Sequence, residues 1–323
     1  MDPGNRRAII AALLANSGIA VLKFIGWGFT GAASLLAEAV HSVADSSNQG
    51  LLLWGNNASR RAPTPAHSFG HGRERYFWAF VVSLVIFSLG GLFALYEGLT
   101  KLFHPHDLSQ PGWALGILGV GIVFEGLSLR TAVRAARQKK TNSSWWTYIR
   151  RTKNPELPVI LLEDLGALFG LILALIGVGL SAWTGNPSFD AMGSVAIGVL
   201  LVIIAALLAT EMKSLLIGES ANPENEELIR STALAHESVR QLIHLRTQHI
   251  GPDQILVGAK IEFDPSLTFG QIAKDIDTIE KSIREVLPFS AMIYIEPDLY
   301  IDEGPTSDQA TPSTNPSPPG DSS

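Results

Sequence analysis

Long apolar runs separated by short polar segments occupy the first two thirds of the chain. Six runs have about the 20 residues that a helix needs to cross a bilayer. They are Ala8–Phe29, Ala32–Asn56, Phe77–Leu99, Trp113–Leu129, Leu157–Trp183 and Met192–Leu216. Because backbone groups find no water inside lipid, each run is expected to be a helix. The pattern therefore predicts an all-α domain of six transmembrane helices over residues 1–218.

The pattern of apolar and polar positions changes after the sixth run. Helical spacing or strand-like alternation predicts, in order, a helix at 224–235, strands at 241–247 and 254–263, a helix at 269–286 and a strand at 291–295. This order predicts a small αββαβ cytoplasmic domain over residues 219–303. From residue 304 onward Pro, Ser and Thr dominate, so residues 304–323 are predicted to be a disordered tail.

Composition and charge agree with a membrane domain followed by a soluble one. Charged residues make up 17% of the chain, whereas about a quarter is usual in soluble proteins. Residues 1–218 carry 17 basic and 12 acidic side chains, a net charge of +5, and residues 219–323 carry 7 and 18, a net charge of −11. An acidic soluble segment does not suit nucleic acid, so no nucleic-acid partner is expected. The chain has no cysteine, which excludes disulfides and thiolate metal sites.

Basic residues concentrate in two of the loops between the apolar runs. They are Arg60, Arg61, Arg73 and Arg75 after the second run, and Arg130, Arg134, Arg137, Lys139, Lys140, Arg150, Arg151 and Lys153 after the fourth. By the positive-inside rule, both loops and both termini are expected on the cytoplasmic side. An Arg- and Ser-rich leader is not evident before the first run, so a bacterial inner membrane is the expected location.

The second apolar run carries ionisable side chains in the stretch from Ser34 to Gln49. Among them are Glu38, His41 and Asp45. His41 and Asp45 are four residues apart, so they share one face of a helix. Ionisable groups in an apolar membrane segment are costly and by default mark an ion or proton path. An imidazole and a carboxylate at this spacing can bind one divalent cation. The alternative is a His–Asp hydrogen bond that only joins helices.

The fifth apolar run carries two adjacent acids, Glu163 and Asp164. Charged side chains at this depth need a polar cavity or a partner. A cation shared with His41 and Asp45 would satisfy all of these groups at once. The alternative is that one carboxylate, more readily that of Glu163, reaches the membrane interface.

With these residues, the chain resembles the cation diffusion facilitator family, also called cation efflux or zinc transporters. The resemblance covers nearly all of residues 8–298. It rests on the second-run motif SLLAEAVHSVADSSNQ with the sequence before it, on the loop HSFGHG at His67–Gly72, on the six runs and on the αββαβ order. The Leu-Glu-Asp sequence of the fifth run is similar to that of the family's mitochondrial zinc transporter 9 branch. The resemblance implies a homodimer that pairs through the C-terminal domain.

The resemblance also implies the ligands of the transported cation. The family's second-helix pair falls on His41 and Asp45, and its fifth-helix aspartate falls on Asp164. The family's fifth-helix histidine falls on Ile160, so one nitrogen ligand is missing here. Water or Glu163 can complete four-coordination. Zinc remains the first expectation, and the loss of a nitrogen ligand makes manganese or iron the alternatives.

Two peripheral metal sites of the family map onto this chain incompletely. His67 and His71 match the histidines of a loop site, but the family's aspartate falls near Thr64, so a packed turn is an equal alternative. His244 and Glu296 lie where some members bind metal between paired domains. Because the full ligand set is not present there, a structural role is favoured.

These expectations combine into a secondary transporter that exports a divalent cation, zinc first, from the cytoplasm in exchange for protons. No resident cofactor and no enzymatic activity are expected. His41 titrates near neutrality and metal ligation requires deprotonation, so protons and metal compete for one site. One alternative is an intramembrane metallohydrolase, but an HExxH-type motif is not present. The other is a metal sensor or scaffold that has lost transport, which Ile160 suggests.

Overall fold

A computed structural model of the chain describes residues 3–105, 107–139 and 144–300. The predicted tail at 304–323 lies outside these described residues. The chain divides into two compact units. The first contains the residues up to Glu224 with Thr247–Leu256 and Pro288–Met292. The second contains Asn225–Arg246, Val257–Leu287 and the residues from Ile293 onward.

Six long helical segments form most of the first unit. Five are single helices: α1 (Pro3–Thr30), α2 (Ala33–Ser59), α5 (Pro111–Lys139), α7 (Glu156–Thr184) and α8 (Ser188–Ile217). The third segment along the chain consists of α3 (Glu74–Val85), a π-helical stretch (Ile86–Leu92) and α4 (Phe93–Phe103). A short helix, α6 (Trp145–Arg151), precedes α7.

Four of these segments are long and apolar enough to cross a membrane. They are Glu74–Phe103, Pro111–Arg137, Glu156–Thr184 and Ser188–Ile217. Of α1, the stretch Ser17–Thr30 qualifies only as a shorter apolar helix. The helix α2 has 27 residues, but its many Ser, Asn, His and acidic side chains lower its hydropathy. The predicted helical membrane domain is therefore confirmed, and of the six predicted spans four are confirmed by length and composition.

The turn between α1 and α2 depends on Gly31. Its φ of 64° lies in the left-handed region, where a side chain would be strained. The Gly31 amide donates to the Trp27 carbonyl at 2.7 Å and closes the end of α1. This turn joins α1 and α2 as a tight hairpin.

Glycines let the helices α4 and α8 approach closely. A Cβ on Gly98 would lie 2.7 Å from the backbone nitrogen of Val195, and one on Gly198 would lie 2.7 Å from that of Leu95. Both distances are too short for real side chains, so the contact needs glycine on both helices. Small residues at helix contacts are the usual means of close packing in membranes.

A buried ion pair joins α2, α4 and α8 at the end of the bundle where α2 begins. Lys101 and Asp190 are both fully buried, and their charged atoms are 2.8 Å apart. Asp190 also accepts hydrogen bonds from the amide of Ala33 at 2.7 Å and from the hydroxyl of Ser34. Lys101 donates to the Gly31 carbonyl at 2.7 Å. A carboxylate at the first turn of α2 also suits the positive end of the helix dipole.

The C-terminal region forms a three-stranded sheet with two helices. In chain order the elements are α9 (Pro223–Leu234), β1 (Val239–Gly251), β2 (Gln254–Phe263), α10 (Phe269–Val286) and β3 (Ser290–Pro297), and the sheet order is β1-β2-β3. In β2, every second residue from Ile255 to Phe263 is buried, as expected for a strand with one covered face. A Thr268–Gln271 capping box begins α10. The predicted αββαβ order is confirmed.

Replacing Asp190 by Asn should destabilise the helix bundle. Breaking one side of a buried ion pair leaves the other charge unpaired, at a typical cost of about 3–5 kcal/mol. We expect a clear fall in the thermal unfolding temperature in detergent. In the double variant Asp190→Asn/Lys101→Met, which leaves no unpaired charge, most of that fall should be recovered. An unchanged unfolding temperature in Asp190→Asn alone would contradict the anchoring role.

The arginine-flanked loop after α2 should face the cytoplasm, and the loop between α7 and α8 should face the other side. Ser68 and Asn186 are exposed positions in these two loops. Because the chain has no native cysteine, Ser68→Cys and Asn186→Cys each carry a single thiol. In intact bacterial cells, a membrane-impermeant maleimide should label only Asn186→Cys. Labelling of only Ser68→Cys would reverse the orientation.

Candidate functional site

The helix α2 presents His41 and Asp45 on one face, as their four-residue spacing predicts. The His41 Nδ1 atom is 3.6 Å from the Asp45 Oδ1 atom. This distance exceeds a hydrogen bond, so the two groups are not joined by the His–Asp bond considered as an alternative. Among the described residues, neither ring nitrogen of His41 has a hydrogen-bond partner, although the side chain is only 1% exposed.

The His41 ring lies against Gly90 of the π-helical stretch. A Cβ on Gly90 would lie 3.5 Å from the His41 Nδ1 atom, so the imidazole packs directly against this glycine. π-helical turns within longer helices are frequent at functional sites. A buried imidazole whose nitrogens lack partners is unusual for a purely structural residue. His41 therefore has the environment of a ligand or a proton acceptor more than that of a packing residue.

Glu163 of α7 faces the polar side of α2. The Asn48 side-chain amide donates to Glu163 Oε1 at 3.1 Å, and both side chains are buried. The carboxyl groups of Glu163 and Asp45 line the same small cavity. Two carboxylates this close repel each other unless a proton or a cation lies between them. The pair is thus suited to hold either.

Asp164 faces a different neighbour, because consecutive residues of a helix project about 100° apart. The Ser128 hydroxyl of α5 donates to Asp164 Oδ2 at 3.0 Å. The structure therefore directs Glu163 toward α2 and Asp164 toward α5. The resemblance to the family favoured Asp164 as the ligand that joins the second and fifth helices. In the structure it is Glu163 that is bonded to the second helix.

A small cavity joins these acids. Its volume is about 30 Å³, which is the space of roughly one water molecule. Its lining consists of Ile19, Ser42, Asp45, Gln49, Glu125, Ser128, Ile160, Glu163 and Asp164. Ile160, the position of the missing family histidine, is part of this wall. Three of the four candidate core ligands, Asp45, Glu163 and Asp164, therefore line the cavity. His41 does not line it, but its Nδ1 atom is 3.6 Å from Asp45.

The acidic side chains line the cavity, but their oxygen atoms do not converge on a single position. Within the described part of the chain, no three His, Asp or Glu side chains are grouped tightly enough to hold a metal ion as they stand. Side-chain rotations or a shift of α2 against α7 would be needed to bring the carboxylates onto one cation. The arrangement has the donors of a cation site in an open geometry.

Two further groups near the site were not assigned from the sequence. Glu125 of α5 lines the same cavity. It lies inside the fourth apolar run, so the rule that intramembrane acids are functional would have singled it out. Lys23 of α1 is paired with Glu38 of α2 at 3.1 Å and donates to the Ser42 hydroxyl at 2.7 Å. Ser42 in turn lines the cavity, so this buried pair adjoins the site.

The loop histidines His67 and His71 lie together, with ring centroids 4.6 Å apart. Both line an open depression of about 700 Å³. Thr64, at the family's aspartate position, forms an antiparallel bridge with His67, and its hydroxyl lies 3.4 Å from His67 Nδ1. These bonds are those of the packed turn considered as the alternative. A metal site in this loop stays a prediction.

The C-terminal candidates are separate in environment. His244 is an exposed residue of β1. The Glu296 carboxylate lies 3.3 Å from Lys260 Nζ, and Asp298 lies 2.6 Å from it. Hydrogen bonds to Asp298 and Glu296 raise the pKa of Lys260. Because Glu296 is engaged in this ion-pair network, the geometry favours the structural role expected from the sequence.

Comparison with known proteins gives two family matches that together cover most of the chain. A model described as "Cation efflux transmembrane domain" matches residues 9–217. A second, described as "Cation efflux protein, cytoplasmic domain", matches residues 221–298.

Curated relatives agree with these matches. The human "Proton-coupled zinc antiporter SLC30A9, mitochondrial" is 32% identical over 287 residues, which cover 88% of this chain and 50% of the relative. "Metal tolerance protein C4" of Arabidopsis thaliana is 30% identical over 81% of this chain and 58% of its own length. "Cation-efflux pump FieF" of Serratia proteamaculans is 26% identical over 94% of this chain and 98% of its own length. The chain thus spans about half the length of the zinc antiporters.

Replacing His67, His71 or His244 by Ala should change metal flux only slightly. All three lie outside the buried cavity, and substitutions at such positions typically change free energies by about 0.5 kcal/mol, which is less than about threefold in rate. The measurement is divalent-metal uptake into proteoliposomes with matched protein content. Complete loss of uptake in a folded His67→Ala protein would assign the loop an essential role.

Proposed function

Since the chain belongs to the cation efflux family, we propose that it moves a divalent cation, zinc foremost, across a membrane in exchange for protons. The observation that supports this most directly is the cavity between α2, α5 and α7, which collects acids from all three helices inside an apolar bundle. The names of its relatives, a zinc antiporter, a metal tolerance protein and a cation-efflux pump, point to the same activity.

The proposed cation ligands are His41, Asp45 and Asp164, with Glu163 as the fourth. Each is expensive in a low-dielectric interior when it stands alone, and one shared cation offsets that cost for the whole set. The hydrogen bond from Asn48 to Glu163 supports including Glu163, because it links α7 to α2 directly. When a cation binds, these side chains would move closer together around it.

Protons and the cation compete for the same atoms in this proposal. A carboxylate or imidazole must be deprotonated to bind metal, so metal arrival releases protons and proton arrival releases metal. Rocking of helices around a fixed site would then expose it alternately to the two sides. The coupling needs no residue beyond the ligands.

We place the transport domain at residues 1–218 and a cytoplasmic domain at 219–303, through which two copies would pair. The two family matches, which meet between residues 217 and 221, support this division. The arginine-rich loops support a cytoplasmic position for the C-terminal domain. A bacterial inner membrane is the proposed location, and the match along nearly the whole length of a bacterial pump supports it.

A second candidate function is a metal sensor that binds the cation without moving it. Ile160 favours it, because an isoleucine in the cavity wall removes a donor that the family's transport site has. Manganese or iron as the cation is the corresponding alternative within the transporter proposal. Flux separates these possibilities, since a sensor binds metal and transports none.

Uptake of Zn²⁺ into proteoliposomes under an imposed pH gradient tests the proposal. We expect uptake that stops when the gradient is collapsed. Asp45→Asn, Asp164→Asn and Glu163→Gln should each lower uptake more than about 100-fold, beyond the effect typical of residues that only support a ligand. Glu97→Gln, an acid of α4 outside the cavity wall, is the matched control.

Three results would count against parts of this proposal. Zinc binding without uptake by the unaltered protein would favour the sensor. Normal uptake in Asp45→Asn would remove the cavity from the transport path. Normal uptake in Asp164→Asn with loss in Glu163→Gln would leave Glu163 as the α7 ligand.

A further inference from the structure

Glu125 of α5 faces the same cavity as Asp45, Glu163 and Asp164. It belongs to a helix that the family's ligand pattern, mapped above onto the second and fifth spans, does not use. Ser128, about one turn later on α5, donates to Asp164. This part of α5 is therefore already engaged with the acidic face of α7.

The cavity wall also contains Ile160, which lies one turn before Asp164 on α7 and whose hydrocarbon side chain cannot ligate a cation. Where the family pattern has a nitrogen ligand, this chain offers none from that position. The Glu163 carboxylate already accepts a hydrogen bond from Asn48. A divalent cation held by His41, Asp45 and Asp164 without it would need water or another group for its remaining position. Glu125 is a charged oxygen donor on the same small cavity, and so it can take that place.

A second observation indicates that this cavity is built for a ligand. Three polar side chains along the same face of α2 have buried atoms that lack a hydrogen-bond partner among the described residues: both ring nitrogens of His41, Oδ1 of Asn48 and Oδ1 of Asp45, which is the one that lines the cavity. His41 and Asn48 are at most 1% exposed. His41 points its Nδ1 at Asp45, which lines the cavity, and Asn48 holds Glu163. Such atoms are rare in native proteins unless something binds there.

We propose that Glu125 is a direct ligand of the transported divalent cation and replaces the donor that is missing at Ile160. This inference rests on the proposed transport function. It makes the cavity a meeting point of α2, α5 and α7 and gives it four carboxylates: Asp45, Glu125, Glu163 and Asp164. The hydroxyls of Ser42 and Ser128 and the amide of Gln49 add further oxygen atoms to the wall.

An oxygen-rich ligand set has a consequence for the choice of metal. Carboxylate oxygens suit Mn²⁺ well, whereas imidazole nitrogens favour Zn²⁺ over it. The unaltered protein should therefore discriminate less between Zn²⁺ and Mn²⁺ than a variant with a histidine at position 160. In a Glu125→Gln protein, adding that histidine should therefore restore Zn²⁺ binding and not Mn²⁺ binding. A purely structural role of Glu125 would not produce this difference between the two metals.

Metal binding to the purified full-length protein, measured by isothermal titration with Zn²⁺ alone and Mn²⁺ alone, tests the assignment. Glu125→Gln should weaken binding of both metals more than about 100-fold, beyond the effect typical of residues that only support a ligand. Glu97→Gln, the matched acid outside the cavity, should bind like the unaltered protein. Thermal unfolding of each variant without metal shows that it is folded.

The decisive variant is Ile160→His/Glu125→Gln. If Glu125 replaces the absent donor, the added imidazole should restore Zn²⁺ binding to within about threefold of the unaltered protein and leave Mn²⁺ binding weak. If position 160 does not accept His in a folded protein, Ile160→Asn supplies a smaller amide donor for the same comparison. Rescue of Zn²⁺ binding in either background supports the exchange of ligands.

Two results overturn the assignment. Unchanged binding of both metals by Glu125→Gln would remove Glu125 from the ligand set while leaving transport through the other acids intact. Weakened binding that neither position-160 variant rescues would show that Glu125 acts by supporting Asp164. If the unaltered protein binds neither Zn²⁺ nor Mn²⁺, the proposed function itself fails together with this inference.

Discussion

The cost of placing a charge inside an apolar helix bundle governs this structure. Two sets of ionisable side chains in the bundle show this cost, one paired and the other grouped around the cavity. Lys23 with Glu38 and Lys101 with Asp190 are buried pairs, each within hydrogen-bond distance. Both pairs join different helices, so the same contacts that satisfy the charges also set which helices are neighbours.

The acids of the cavity, unlike the two buried ion pairs, lack a lysine or arginine partner among the described residues. Asp45 has the His41 imidazole at 3.6 Å and Glu163 has the Asn48 amide, but among the described residues neither carboxylate has a cationic side chain bonded to it. Negative charge gathered in this way is unfavourable unless a cation or protons are present. The contrast with the two buried pairs separates the polar groups that hold the bundle together from those available to a moving ion.

The Asp190 anchor and the cavity are connected through one helix. Asp190 holds the amide of Ala33 in the first turn of α2, and His41 follows eight residues later on that helix. Because a helix is stiff, fixing its first turn also fixes the direction in which His41 and Asp45 project. The glycines that bring α4 onto α8 act similarly, since they hold together two of the elements that pack on α2.

Hydrophobic periodicity and intramembrane charge are local properties of the chain. The helical membrane domain and the αββαβ order could therefore be predicted from the sequence, and the acids within the apolar runs could be named as candidates. The partner of each charge depends instead on how the helices pack. Lys23 and Glu38 are 15 residues apart, Lys101 and Asp190 are 89 apart, and Glu125 and Asp45 line one cavity from two different helices. Likewise, the direction of Glu163 toward α2 and Asp164 toward α5 follows from how α7 is rotated in the bundle. That rotation is set by packing against several helices at once, and the spacing of residues within one helix does not encode it.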